Sequence, residues 1–137
     1  MSNYATENLR TLALVGHGSC GKTTLIEAML YRAGMIPEMG SIQRGTTMCD
    51  NDLLEKEVGH SIRLAVAHID TAMTDLTPVR IHILDTPGYP DYLGQDMSAL
   101  DAVKSVCAVI DPTKGPELLT RRLMAMAKEP GLGRLIV

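Results

Sequence analysis

Apolar residues fall along the chain as short runs alternating with helical stripes. Thr11 to Val15 is an apolar run closed by Gly16, the pattern of a buried strand. From Lys22 to Arg32 the pairs Leu25/Met29 and Ile26/Leu30 stand four apart, and Gly34 follows as a C-terminal stop. That spacing predicts a helix. Two β-branched stretches, Ile62 to Ile69 and Val79 to Leu84, flank Thr74-Asp75-Leu76-Thr77-Pro78 and predict two strands joined by a turn. Gly94 to Lys104 carries Met97, Leu100 and Val103 at helical spacing, and Ser105 to Ile110 reads as a buried strand closed by Asp111-Pro112. Pro116 suits the first turn of a helix running to about Lys128, with Leu119, Leu123 and Met126 on one face. Arg134 to Val137 opens a further strand.

Strands alternating with helices predict an α/β fold with a mostly parallel sheet. Ile62 to Ile69, reached by a short turn, is the expected antiparallel neighbour. The chain halts on three apolar residues, Leu135-Ile136-Val137, so the expectation is a piece of a longer protein and an incomplete sheet. Gly40 to Ser61 has no sustained period; a loop of that length is functional or a solvated insertion.

Composition narrows the class. With 137 residues the chain has the size of one domain, and 45% hydrophobic against 21% charged residues is a globular balance. No apolar run approaches the ~18–20 residues of a membrane span, so no membrane partner is expected. The net charge of -3 provides no global attraction for a phosphate backbone, so no direct nucleic-acid site is expected here. Cys20, Cys49 and Cys107 are odd in number and widely spaced, which fits a reducing cytoplasm better than a disulfide framework. Without Trp or Phe, the core falls to Leu, Ile, Val, Ala and some of the 9 Met.

Gly16-His17-Gly18-Ser19-Cys20-Gly21-Lys22-Thr23 matches G-x-x-x-x-G-K-[ST] in full, between an apolar strand and a helix. Such a loop turns backbone N–H groups toward phosphate oxygens, and the helix N-terminus adds partial positive charge. Lys22 would reach the β- and γ-phosphates, and the Thr23 hydroxyl would ligate Mg²⁺. A nucleoside triphosphate site follows. It needs an acidic partner at the end of another strand, and Asp85-Thr86-Pro87-Gly88 supplies one after Val79 to Leu84. Taken alone, that tetrapeptide is an ordinary turn. Beside a phosphate loop, Asp85 is placed to hold Mg²⁺ through water, and the Gly88 N–H to meet the γ-phosphate.

Three motifs in order carry a more specific resemblance: Gly16-His17 with Gly21-Lys22-Thr23-Thr24-Leu25, then Glu55-Lys56-Glu57-x-Gly59-x-Ser61-Ile62, then Asp85 to Tyr92. Together they resemble the GTPase domain of elongation factor G, and the stretch around Gly94, Gln95, Ala99 and Leu100 resembles its elongation-factor-G-like paralogues. The resemblance runs from about Arg10 to Val137. It implies a three-layer P-loop NTPase fold, with residues 1–137 as the N-terminal portion of the GTP-binding domain. It also implies nucleotide contacts from Gly16 through Thr24, Asp85 and Gly88. Gly40 to Ser61 becomes a first switch, in which Ser61 stands where the family has a Mg²⁺-ligating threonine; Asp85 to about Gln95 becomes a second. Mg²⁺ with GTP or GDP, and the ribosome reached through further domains, are the implied partners.

Several positions depart from the family. Tyr89 replaces the histidine that positions the attacking water, which makes it the candidate catalytic residue; a phenol orients water but is no cation near neutral pH. Ser19 replaces a common aspartate, Val58 a frequent arginine and His60 an apolar residue. The Asn-Lys-x-Asp element that reads guanine would follow the strand opened at Arg134, so these 137 residues are expected to distinguish GTP from ATP poorly and to be inactive alone. His68 and His82 read as strand residues satisfied by neighbours, Cys20 as a small spacer, and Met124 and Met126 as packing. The alternatives are a ribosomal protection or release-type factor, a non-enzymatic fragment with weak nucleotide binding, and an ATPase.

Overall fold

The computed structural model describes residues 4–49, 61–128 and 130–137. The Glu55-Lys56-Glu57 cluster, Val58, Gly59 and His60 lie outside the described residues.

The run before the glycine-rich loop forms β1 (Leu9–Val15), whose last three residues are fully buried. They are apolar because β1 lies centrally in the sheet, between β3 (Pro78–Asp85) and β4 (Ser105–Ala108), both parallel to it. With β2 (Ala65–Ala72) and β5 (Gly133–Ile136), the sheet order is β2-β3-β1-β4-β5. Only β2 runs antiparallel, against β3; β5 pairs parallel with β4.

Alternation along the strands gives the sheet two apolar faces. Leu14, Ile83 and Cys107 pack on one side with Ile26 and Leu30 of α1 (Lys22–Arg32). Ala13, Val15, Val106 and Ala108 pack on the other with Ala99 and Leu100 of α2 (Leu93–Ala102) and Leu123 of α3 (Leu118–Met126). The result is the expected three-layer α/β fold with a mostly parallel sheet and one antiparallel strand. Met124 and Met126 are partly buried packing residues. Among the described residues no helix is long and apolar enough to cross a membrane.

Two boundaries and one helix face depart from the sequence pattern in ways that packing and hydrogen bonds explain. The antiparallel strand begins at Ala65 rather than Ile62, because the side-chain amide of Gln95 occupies the backbone groups of Ile62 and Leu64. The helix expected from Pro116 begins at Leu118, with Glu117 extended as its N-cap. The Pro116 carbonyl instead accepts from Arg121 Nε at 3.0 Å. In α2 the buried stripe is Asp96, Ala99 and Leu100, continued by Val103; Met97, expected on that face, is 43% exposed.

Candidate phosphate and metal site

Parallel pairing of β1 with β3 sets Leu14 opposite Asp85, so both strands end at the same edge of the sheet. Ligands of open α/β sheets bind outside that edge. The loop after β1 therefore meets the Asp-Thr-Pro-Gly turn after β3. Within the loop, Ser19 (φ 63°) and Gly21 (φ 99°) take left-handed backbone, and α1 starts at Lys22 as its sequence requires.

The Lys22 ammonium is buried and donates to the carbonyls of His17 (2.9 Å) and Gly16 (3.2 Å). The Thr23 hydroxyl donates to Asp85 Oδ2 at 2.6 Å and lies 3.3 Å from the Ser61 hydroxyl. Three oxygens from three distant parts of the chain thus converge. Thr86, fully buried, donates its hydroxyl to the Leu14 carbonyl at 2.9 Å and pins the Asp-Thr-Pro-Gly turn to β1. Gly88 adopts φ 80°, and a Cβ there would lie 2.5 Å from the Gly16 carbonyl oxygen and collide with the Lys22 ammonium. Only glycine fits between them.

A cleft of about 230 Å³ opens over this arrangement, lined by Ser19, Lys22, Thr24, Ile42, Ser61 and Tyr89 among others. Of the predicted site residues, Ser19, Gly21, Lys22, Thr23, Thr24, Ser61 and Tyr89 border it. Asp85 joins through Thr23. The His17 side chain points elsewhere: its Nε2 lies 3.1 Å from Glu117 Oε1, and only its carbonyl meets Lys22. Gly18 and Gly88 line a neighbouring cavity with Tyr89. The Cys20 thiol is pushed up in pKa by burial, with Lys22 offsetting part of the effect, as suits a spacer rather than a nucleophile. His68 and His82 face each other across β2 and β3, with ring centroids 6.2 Å apart.

The oxygen set fits a hard divalent ion. Two hydroxyls and a carboxylate match Mg²⁺, which prefers oxygen ligands and keeps waters and substrate phosphates in its remaining positions. Among the described residues there is no cluster of three or more His, Cys, Asp or Glu side chains that suits a softer metal.

Of three further polar residues around the site, Glu27 and Asp96 are marked by no motif, and Gln95 only by the family resemblance. Glu27, 1% exposed, accepts from the backbone N–H groups of Gly40 (2.9 Å) and Met48 (2.5 Å). Gln95 accepts from the Leu64 N–H at 2.7 Å and donates to the Ile62 carbonyl at 3.0 Å. Asp96 is fully buried, and neither carboxylate oxygen reaches a hydrogen-bond partner among the described residues. Burial raises its pKa, tempered by the nearby Thr86 hydroxyl, Lys22 ammonium and Gly88 N–H. The helical period carried a signal for two of them. Glu27 follows Thr23 by four on the buried stripe of α1, and Asp96 precedes Ala99 and Leu100 by three and four.

A central parallel strand, a glycine-rich loop closing on a lysine at a helix start, and an aspartate on the adjacent strand define a P-loop nucleotide-binding domain. Comparison with known proteins narrows this: residues 7–137 match the elongation factor Tu GTP binding domain, and the chain belongs to that family. It is a GTP-binding domain of the translational GTPase type. The chain is 35% identical over 129 residues to an elongation factor G-like protein of Mycobacterium tuberculosis, covering 94% of this chain and 17% of that protein. It is 34% identical over 121 residues to the tetracycline resistance protein TetM from transposon Tn1545 of Enterococcus faecalis, covering 88% and 18%. A crystal structure from Thermus thermophilus superposes with a TM-score of 0.83 at 35% identity, over 93% of this chain and 18% of that one. A bacterial selenocysteine-specific elongation factor shares the fold, with a TM-score of 0.70 at 23% identity, over 93% and 19%. The chain thus spans less than a fifth of these relatives.

Proposed function

We propose that residues 16–24, 61 and 85–89 form the Mg²⁺-GTP site of an elongation-factor-G-like translational GTPase. In this reading the full protein acts in the cytoplasm and couples hydrolysis to action on the ribosome. The observation that carries it is the convergence of Thr23, Ser61 and Asp85 oxygens beside the buried Lys22 ammonium. Lys22 exchanges its two carbonyl partners for the β- and γ-phosphates, which costs little because the ammonium is already desolvated. The Gly88 N–H meets the γ-phosphate and ties the second switch to its presence. Thr23, Ser61 and, through water, Asp85 hold the ion, which neutralises phosphate charge when bound. Tyr89, at the rim of the cleft, orients the attacking water through its phenol.

No Asn-Lys-x-Asp occurs in these 137 residues. Their contacts address phosphates and metal, which GTP and ATP share. Titration of the 137-residue chain with a fluorescent GTP analogue, competed by GDP and ATP, tests both points. Binding is expected to need Mg²⁺ and to be displaced comparably by GTP and ATP; strong GTP preference would mean that guanine is read by other residues of this chain. Absence of any nucleotide binding by the full gene product would overturn the reading.

The similarity to TetM supports a second reading, a ribosomal protection factor using the same site. Tetracycline tolerance of cells expressing the full gene product separates it from an elongation-type factor.

A further inference from the structure

The glycines of the phosphate loop are glycine for different reasons. Gly16 (φ 152°) and Gly21 (φ 99°) have backbone conformations that side chains disfavour. Gly18 has no such φ. What it lacks is room: a Cβ at residue 18 would fall 2.6 Å from Tyr89 Cε2 and 2.7 Å from the phenol oxygen. The Tyr89 ring lies directly on the bare loop backbone.

Both neighbours of Tyr89 restrict where it points. Gly88 is wedged against the Gly16 carbonyl, and Pro90 opens the 3₁₀ turn Pro90–Tyr92, for which Tyr89 is the extended N-cap (φ −116°, ψ 141°). The ring borders the phosphate cleft on one side and a cavity of about 340 Å³ on the other, which His17, Gly18, Glu117 and Leu118 help to line. Tyr89 is thus a partition whose seat is residue 18.

We propose that Gly18 is a positioning residue for Tyr89, its missing side chain providing the seat that sets where the phenol stands at the rim of the phosphate cleft. The kinetic part rests on the reading of that cleft as a GTP-hydrolysing site; the seat itself does not. A methyl group at residue 18 displaces the ring by roughly an ångström, and misplacement of a water-orienting group on that scale costs about 10²-fold in rate.

The test is a double-mutant cycle in the full gene product, with Gly18→Ala, Tyr89→Ala, Tyr89→Phe and the combinations. Gly18→Ala is expected to lower kcat for GTP about 10- to 100-fold, a larger loss than any it causes in GTP affinity through the phosphate loop. In the Tyr89→Ala background the same change should alter kcat by less than about twofold, because the group it displaces is gone. Tyr89→Phe should lose kcat yet keep its sensitivity to Gly18→Ala in melting temperature, since the ring still occupies the seat. Equal kcat losses in the Tyr89 and Tyr89→Ala backgrounds would overturn the proposal, as would unchanged kcat in Gly18→Ala. If the unaltered protein hydrolyses no GTP, the functional reading fails instead, and melting temperatures decide the seat. A loss on Gly18→Ala with Tyr89 or Tyr89→Phe but not Tyr89→Ala supports it, and an equal loss in all three overturns it.

Discussion

The phosphate loop and the segments facing it are held by contacts of different range. The Lys22 bonds that brace the loop reach back five and six positions, to His17 and Gly16. The facing segments are fastened from far along the chain. Glu27 holds Gly40 and Met48 across 13 and 21 positions, Gln95 holds Ile62 and Leu64 across 33 and 31, and Thr86 reaches Leu14 across 72. A loop closed by its own neighbours forms whenever its strand and helix form. Side-chain fastenings from another element can be released bond by bond, as a nucleotide-dependent switch would require.

Removing the charge from the loop gives the largest expected effect. Lys22→Ala should cost about 3–5 kcal/mol of triphosphate binding, a factor of hundreds or more, because among the described residues no other lysine or arginine lines the cleft. Isothermal titration of the full gene product with GTP would measure it, and unchanged affinity would break the assignment. Because the far-held segments are fastened by other side chains, this variant should leave them in place.

Glu27→Ala should show the reverse profile. It leaves the Gly40 and Met48 N–H groups without their carboxylate partner, a loss of about 1–3 kcal/mol in urea unfolding. Proteolytic cleavage within residues 40–48 should quicken with it. Equal protection in both proteins would contradict an anchoring role.

Gln95 sharpens the contrast further. Gln95→Ala should cost about 1 kcal/mol of stability and raise the Mg²⁺ concentration needed for nucleotide binding, since residues 62–64 adjoin Ser61. Gln95→Glu keeps the acceptor for Leu64 but loses the donor to Ile62, so it should fall between the two. A Mg²⁺ titration indifferent to both variants would separate Gln95 from the metal site.

Asp96 carries the smallest effect and the opposite sign. Its carboxyl has a raised pKa in the folded chain, so the folded state binds that proton more tightly than the unfolded one. The associated stability is complete below the unfolded value of about 3.9 and is lost as pH rises through the higher folded value. At neutral pH the native state therefore carries an ionisation penalty. Asp96→Asn should raise the melting temperature at pH 7, with the gain shrinking toward pH 4. A lower melting temperature at pH 7 would show that the carboxylate is compensated.

Local order was legible wherever one period or one motif covered it. The strand ending at Val15, the helix starting at Lys22 and the loop between them are specified by consecutive residues, because turn geometry and helix phase depend on near neighbours. The aspartate at the end of β3 was legible for the same reason. The strand from Ile62 was misplaced by three residues because a side chain from α2 takes the hydrogen bonds a strand partner would have used. Asp96 rather than Met97 lies on the buried stripe because a helical stripe fixes which face is buried only to within a residue, and packing against the sheet selects the phase. The meeting of Thr23, Ser61 and Asp85 across 38 and 62 positions belongs to the sheet order β2-β3-β1-β4-β5. No local rule reaches so far. The seat of Tyr89 on Gly18 is of the same kind: each residue is ordinary in its own segment, and the reason for the glycine exists only where two loops touch.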